Sequence, residues 1–308
     1  MASALVTVPL AVAKAFSPGH ITGIVELAGA ESQDYLYAGS KGAGFSIDKG
    51  IETSVEVYDS RRQSYSIFIN GSRADPADVE VSSWVVREFF KIAGKSCHVK
   101  IYHNIGIPVG YGLGSSGAAA LSLSYALDAA MGTGLGIKRA AQIAHRAEIE
   151  CNTGLGTVIA EYVGGFEIRT SVGAPGIGRI QKKEIDGYKA VILCRAPIST
   201  KLFLSKNAKA INGLGSRMLD ALAQSEEVED FVEFSYRFAD QLGFIWASCR
   251  EPVQALRSAG FGCGIALFGE TVFTIVRTEQ APKVEELLRK FGGTLLVCNI
   301  DNTGARRI

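Results

Sequence analysis

The chain has no CxxC pair, no long apolar run and no excess of charge of either sign, and each absence removes a class of function. Its six cysteines, Cys97, Cys151, Cys194, Cys249, Cys263 and Cys298, stand far apart. Such spacing argues against a zinc site and reads as buried, reduced thiols. No stretch approaches the ~18 apolar residues of a membrane-crossing helix. The mildly apolar N-terminus (residues 2–13) has no basic segment ahead of it, so no secretory leader is expected and the cytoplasm is the expected location. The 32 basic residues face 31 acidic ones, for a net charge of +1. A surface without basic excess does not advertise nucleic-acid binding. The expected partner is a small molecule, with no nucleic acid and no membrane. At 308 residues and 47% hydrophobic content, the chain is long enough for two domains around a sizeable core.

Glycine is what the chain has in excess: 35 of its 308 residues, about 11% against a usual ~7%. Three clusters (residues 39–50, 106–117 and 260–269) suggest tight turns or backbone brought close to a ligand. The central cluster reads Pro108-Val109-Gly110-Tyr111-Gly112-Leu113-Gly114-Ser115-Ser116-Gly117 and runs into small apolar residues. A glycine loop entering a helix presents unpaired N–H groups and a positive dipole end, and both suit phosphate oxygens. Pro108, Gly110, Gly112, Leu113, Gly114, Ser115, Ser116 and Gly117 are therefore the candidate nucleotide-binding residues. The plainer reading is a flexible turn before a capped, buried helix.

Along the chain, alternation over residues 55–59 and 65–69 predicts a hairpin. A helix is expected from Val79 to Ala93, stopped by Gly94, and then a strand over 97–103. Helices are expected over 115–131, apolar nearly all round and hence buried, and over 137–150. Gly164-Gly165 introduces a short strand. The Gly/Pro-rich stretch 173–178 suggests a domain boundary, giving units 1–180 and 181–308. The second unit reads strand (188–194), helices (205–222, 227–242, 250–258), a hairpin turning at Gly269-Glu270, helix (280–291) and strand (294–300). That order is a split βαβ, ferredoxin-like arrangement, and the fold class is α+β.

Two competing motifs fail on context. Gly112-Leu113-Gly114-Ser115-Ser116-Gly117 matches GxGxxG, but a second helix follows where a dinucleotide fold needs a strand ending in an acidic residue. Gly94-Lys95-Ser96 imitates the end of a Walker A loop, yet Phe89 occupies the place of its first glycine. The loop instead resembles the second signature of the GHMP kinases. Residues Ala15-Phe16-Ser17-Pro18-Gly19-His20-Ile21-Thr22-Gly23 resemble their N-terminal signature, with His20 where many members carry lysine. Residues 260–269 resemble the C-terminal one. Ser17 to Thr22, the loop Gly39-Ser40-Lys41-Gly42-Ala43-Gly44 and Thr153-Gly154-Leu155-Gly156 are most similar to the archaeal pantoate kinases within that superfamily.

The resemblance implies the GHMP fold, a ribosomal-S5-like N-terminal domain joined to a ferredoxin-like C-terminal domain. It also implies ATP with Mg²⁺ and phosphorylation of the 4-hydroxyl of pantoate in coenzyme A biosynthesis. Phosphoryl transfer needs charge neutralisation and a positioned acceptor. Ser116 and Glu148 are the expected Mg²⁺ and catalytic residues. Glu148 sits in the last turn of its helix, where the macrodipole disfavours an anion by ~0.3–1 kcal/mol unless a cation is bound; the alternative is a solvated acidic pair with Glu150. His20, Ser40 and Arg169 are the expected substrate residues, Arg169 through a bidentate grip on a carboxylate; a turn histidine and a surface arginine are the bland alternatives. Many members carry an aspartate about seven residues before the paired glycines. Thr157 stands there, and cannot act as a carboxylate base. Catalysis by positioning and electrostatics answers this departure; so does loss of activity. Two alternatives accompany the reading: a GHMP kinase for another hydroxy or amino acid, and a non-catalytic nucleotide-binding sensor. A homodimer is an open expectation.

Overall fold

A computed structural model describes residues 8–27, 32–198, 200–225 and 227–308, and for 200–210 the backbone course only. Part of the N-terminal stretch read for a leader (residues 1–7) lies outside the described residues. Two long strands, β1 (Ala11–Glu26) and β2 (Lys41–Asp59), pair antiparallel from Ala11↔Val57 to Glu26↔Lys41, with irregularities at Pro18/Gly19 and Thr22/Ile24. Only residues 55–59 of this pair were legible as strand, because the glycine-rich stretches break the period-2 pattern on which strand recognition rests.

Next come β3 (Ser64–Ile69), β4 (Ser72–Arg73), α1 (Glu80–Ala93) and β5 (Cys97–Ile105). The expected hairpin between 55–59 and 65–69 is not formed. β5 lies between β2 and β3, antiparallel to the first and parallel to the second. The reason is burial: β5 buries Cys97, Val99 and Ile101, whereas β3 buries Ile67 alone. The more apolar strand takes the inner place, and α1 makes the crossover that parallel pairing requires. α2 (Ser115–Met131), α3 (Gly136–Glu150) and α4 (Thr157–Val163) follow, then β6 (Phe166–Ser171) and β7 (Arg179–Lys183). β6 pairs with β2 and β7 with β6, so the boundary expected at 180/181 falls within β7. α2 is buried almost all round, as its sequence demanded. Together α1, α2 and α3 cover the Val55–Ile101 part of the sheet.

The remaining elements are β8 (Tyr188–Pro197), α5 (Thr200–Ser225), α6 (Val228–Gln241), α7 (Ala247–Ser258), β9 (Gly264–Ala266), β10 (Gly269–Arg277), α8 (Ala281–Arg289), β11 (Thr294–Asn299) and β12 (Arg306–Arg307). The second sheet is antiparallel with order β11-β8-β10-β9, the ferredoxin-like arrangement the sequence predicted. β12 returns to pair with β1. No described helix is long and apolar enough to cross a membrane.

One core joins the two sheets. Phe231 of α6 lies 5.2 Å from Phe166 and 5.8 Å from Phe273, centroid to centroid, and Phe45 lies 5.3 Å from Phe273. Gly23 lets α6 come this close, since a Cβ there would meet Phe231 Cζ at 2.8 Å. Phe231→Ala should therefore cost about 3–5 kcal/mol, measured by urea unfolding; a loss below about 1 kcal/mol would mean that the shared core is not well packed.

Candidate active site

The three glycine-rich stretches meet at the bend of β1. The His20 N–H donates to the Leu113 carbonyl (3.0 Å), and the Leu267 N–H donates to the Thr22 carbonyl (3.2 Å). From the second sheet, the Ile198 N–H donates to the Gly110 carbonyl (2.8 Å) and Thr271 Oγ1 donates to the Tyr111 carbonyl (2.9 Å). Gly269 packs against the Tyr111 backbone so tightly that a Cβ would overlap it. The loop is thus clamped between β1 and the β9–β10 turn.

Within it, Gly110, Gly112 and Gly114 have φ of +86°, +76° and +73°, which side chains disfavour. Gly114 leads into α2, whose first internal bond runs from the Ala118 N–H to the Gly114 carbonyl (3.0 Å). The N–H groups of Ser115, Ser116 and Gly117 are left pointing out of the helix end, the geometry that binds phosphate.

A cleft opens over this helix end. Gly110, Gly112, Leu113, Gly114, Ser115 and Ser116 line one side; His20, Ser40 and Arg169 line another, and Thr157 the third. Pro108, Gly117 and Glu148 are not in the lining. Pro108 enters the loop from outside, Gly117 is buried in α2, and Glu148 stands behind Gly154, where a Cβ would overlap Glu148 Oε2.

The floor is built from strand alternation. Across β2 and β6, Gly42 faces Arg169 and Gly44 faces Glu167, while Thr22 of β1 faces Gly44. Residues two apart in a strand share a face, so Glu167 and Arg169 project together and His20 joins them from β1. The glycines make room: a Cβ at 42 would overlap the Arg169 guanidinium, and one at 44 would meet His20 Nε2 at 2.5 Å. Glu167 Oε1 accepts from Arg169 Nη1 (2.5 Å) and from His20 Nε2 (2.9 Å). Arg169 is 2% exposed and Glu167 fully buried, which overturns the surface-arginine alternative. Burial lowers the His20 pKa and Arg169 adds to this, while the hydrogen bond and charge of Glu167 oppose it. Ser40 is buried beside Arg169, and Gly156 passes close to both.

Residues 81–165 match the model of the GHMP kinases N-terminal domain. The chain is 34% identical to a pantoate kinase of Methanocaldococcus jannaschii over 92% of this chain and 99% of that one. It is 31% identical to a pantoate kinase of Thermococcus kodakarensis, over 89% and 91%. The chain belongs to the pantoate kinase family. A solved phosphotransferase related to the coenzyme A biosynthesis pathway superposes with a TM-score of 0.88 at 26% identity, covering 96% of this chain and 98% of that one. The protein is therefore a small-molecule kinase with the GHMP fold, and ATP is the nucleotide of that superfamily.

In this kinase Glu148 is 2% exposed and accepts from Thr153 Oγ1 (2.6 Å). Glu150 points away and pairs with Arg146 at 3.4 Å, so the solvated acidic pair does not form. Burial raises the Glu148 pKa, and hydrogen bonds from Thr153 and Ser116 pull it back. Its Oε2 is buried without a partner. A magnesium ion fits that orphaned oxygen and the Ser116 hydroxyl, since Mg²⁺ takes few protein ligands and completes its shell with water and phosphate. No group of three or more His, Cys, Asp or Glu side chains forms a metal cage among the described residues.

Sequence reasoning missed two buried carboxylates. Glu167 was detectable as a Glu-x-Arg alternation on one strand face. Glu161, one turn after Thr157 on α4, gave no signal, because a lone acid in a short helix reads as solvated. It is fully buried, and both oxygens lack partners. Its Oε1 and Oε2 stand 2.5 and 2.8 Å from where Cβ atoms of Gly114 and Gly117 would be. Burial, helped by the charge of Glu148, raises its pKa well above the usual carboxylate range. A raised folded-state pKa means that folding binds a proton, so this group costs stability as pH rises above its unfolded value. Glu161→Gln should thus stabilise the ligand-free protein at pH 8, and the gain should vanish toward pH 4.5. Melting temperatures across that range check it; a gain independent of pH would show that Glu161 is ionised at no cost.

Proposed function

We propose that the protein transfers the γ-phosphoryl group of ATP to the 4-hydroxyl of pantoate, a step toward coenzyme A. The observation that carries this is the buried Arg169 guanidinium in the same cleft as the exposed N–H groups at the start of α2. One end of the cleft suits a polyphosphate and the other a small carboxylate, with room between them for an acceptor hydroxyl. Arg169 Nε has no partner of its own, which leaves it a donor for the carboxylate of an incoming acid. Ser40 and His20 flank that position. The loop glycines and Ser115 hold the triphosphate.

Ser116 and Glu148 would hold Mg²⁺, which when bound neutralises charge on the phosphates. Removing their burial-imposed mismatch also favours the metal: a cation beside Glu148 restores its ionised form. Catalysis is then a matter of alignment and fixed dipoles. A second reading rests on one observation. Among the described residues no carboxylate lines the cleft, and Thr157 holds the expected acid's place, so a sensor that binds nucleotide without turnover is the alternative. Another carboxylate-bearing acceptor is the third. The cytoplasm is the location we propose.

ADP release with Mg-ATP should depend on D-pantoate. Glu148→Gln should abolish it with the fold intact, and Arg169→Ala should raise KM for pantoate more than it lowers kcat. Turnover without any acceptor preference would point to another substrate. Nucleotide binding with no turnover, restored by Thr157→Asp, would identify a disabled centre.

A further inference from the structure

A carboxylate has no proton to give, so Glu167 Oε1 fixes the ring proton of His20 on Nε2 and leaves Nδ1 as an acceptor. Nδ1 meets the Thr22 hydroxyl at a long 3.4 Å. His20 and Thr22 both line the cleft. The backbone of His20 is bonded to Leu113 of the phosphate loop, which sets the ring beside the helix end where a γ-phosphoryl group would lie. We propose that His20, oriented by Glu167, is the base that takes the proton of the acceptor hydroxyl, in the role that Thr157 cannot fill. The proposal rests on the kinase reading above.

The step balances. The acceptor oxygen forms a bond to the γ-phosphorus, the bond from that phosphorus to the bridging oxygen of ADP breaks, and the acceptor proton passes to His20 Nδ1. The imidazolium so formed lies 2.9 Å from the Glu167 carboxylate and returns its proton to solvent when product leaves. Burial lowers the His20 pKa and so favours the neutral ring, the form that can accept a proton. The charged groups facing it are Glu167 and Arg169, both from β6. Uncharged Ser40, Ser115 and Ser116 share the cleft with it, and Glu161 of α4 lies beside Gly114, next to the His20 N–H. Glu167 acts through His20 and Arg169 and is a positioning residue.

Profiles of kcat against pH for the parent protein, His20→Gln, Glu167→Gln and Glu167→Asp test this. The parent should lose kcat on the acid side as His20 is protonated. His20→Gln should lower kcat by roughly 10²–10⁴ and lose that acid limb, with a smaller change in KM. Glu167→Gln should keep the limb but move it to lower pH, since Glu167 raises the His20 pKa; Glu167→Asp should restore part of the rate. A His20→Gln variant with near-parental kcat, or with the acid limb intact, would overturn the proposal. Imidazole ¹⁵N spectra of the ligand-free parent give a readout that needs neither turnover nor a folded variant. They should show a neutral Nε2–H tautomer at His20, assigned apart from the other buried histidines His103 and His145, and an Nδ1–H tautomer there would sink the idea. Absence of pantoate-dependent ADP release by the parent would count against the kinase reading alone, leaving the tautomer to decide the state of His20.

Discussion

Backbone-to-backbone contact between three stretches of chain is the constraint on which the site depends. The bend of β1 bonds to the phosphate loop at Leu113 and to the C-terminal glycine stretch at Leu267. Approach at that distance leaves no room for side chains, and a Cβ on Gly269 would overlap Tyr111. Glycine is the cost of the architecture as well as its means, because each such residue surrenders more backbone entropy on folding than any other. The shared aromatic core of Phe45, Phe166, Phe231 and Phe273 supplies burial that offsets it. Separate folding of the two sheets would leave that core open to water.

Charge buried at the floor follows a different logic. Glu167 takes bonds from both Arg169 and His20 through one oxygen, while its other oxygen and Arg169 Nε have no partner. Unsatisfied buried polar atoms are few in native proteins and call for an explanation. A carboxylate ligand and its water would supply one. The same holds beside the phosphate loop, where Glu148 and Glu161 keep oxygens unpaired. Under the reading we propose, a site that binds a polyanion and a cation together is left with such unpaired atoms when empty.

Thr157 stands where the family resemblance leads one to expect an aspartate, and its surroundings make a threonine there intelligible. Phosphoryl transfer asks little covalent chemistry of a protein and much alignment. In the reading we propose, the glycine loop holds the phosphates, Ser116 and Glu148 the metal, and the Glu167–His20 pair the acceptor. None of these arrangements passes through residue 157, whose methyl packs against the loop glycines instead.

Elements whose information is local were legible in the sequence. The helix at 115–131 announced itself by small residues after a glycine loop, and the ferredoxin-like order of the C-terminal unit by the alternation of its patterns. The glycine loop, His20, Ser40, Arg169 and Glu148 could be proposed as site residues from the sequence because their neighbours along the chain carry motifs. What the sequence by itself determined was therefore the set of parts and their chemistry. Only the tertiary structure decided which strand lies between β2 and β3, since that choice compares the burial of two segments thirty residues apart. Only it decided that Glu167 and Glu161 are buried, because a carboxylate's environment is made by other elements and not by its own neighbours. And only it brought His20 against Glu167, a pairing across 147 residues that depends on the register of β1, β2 and β6.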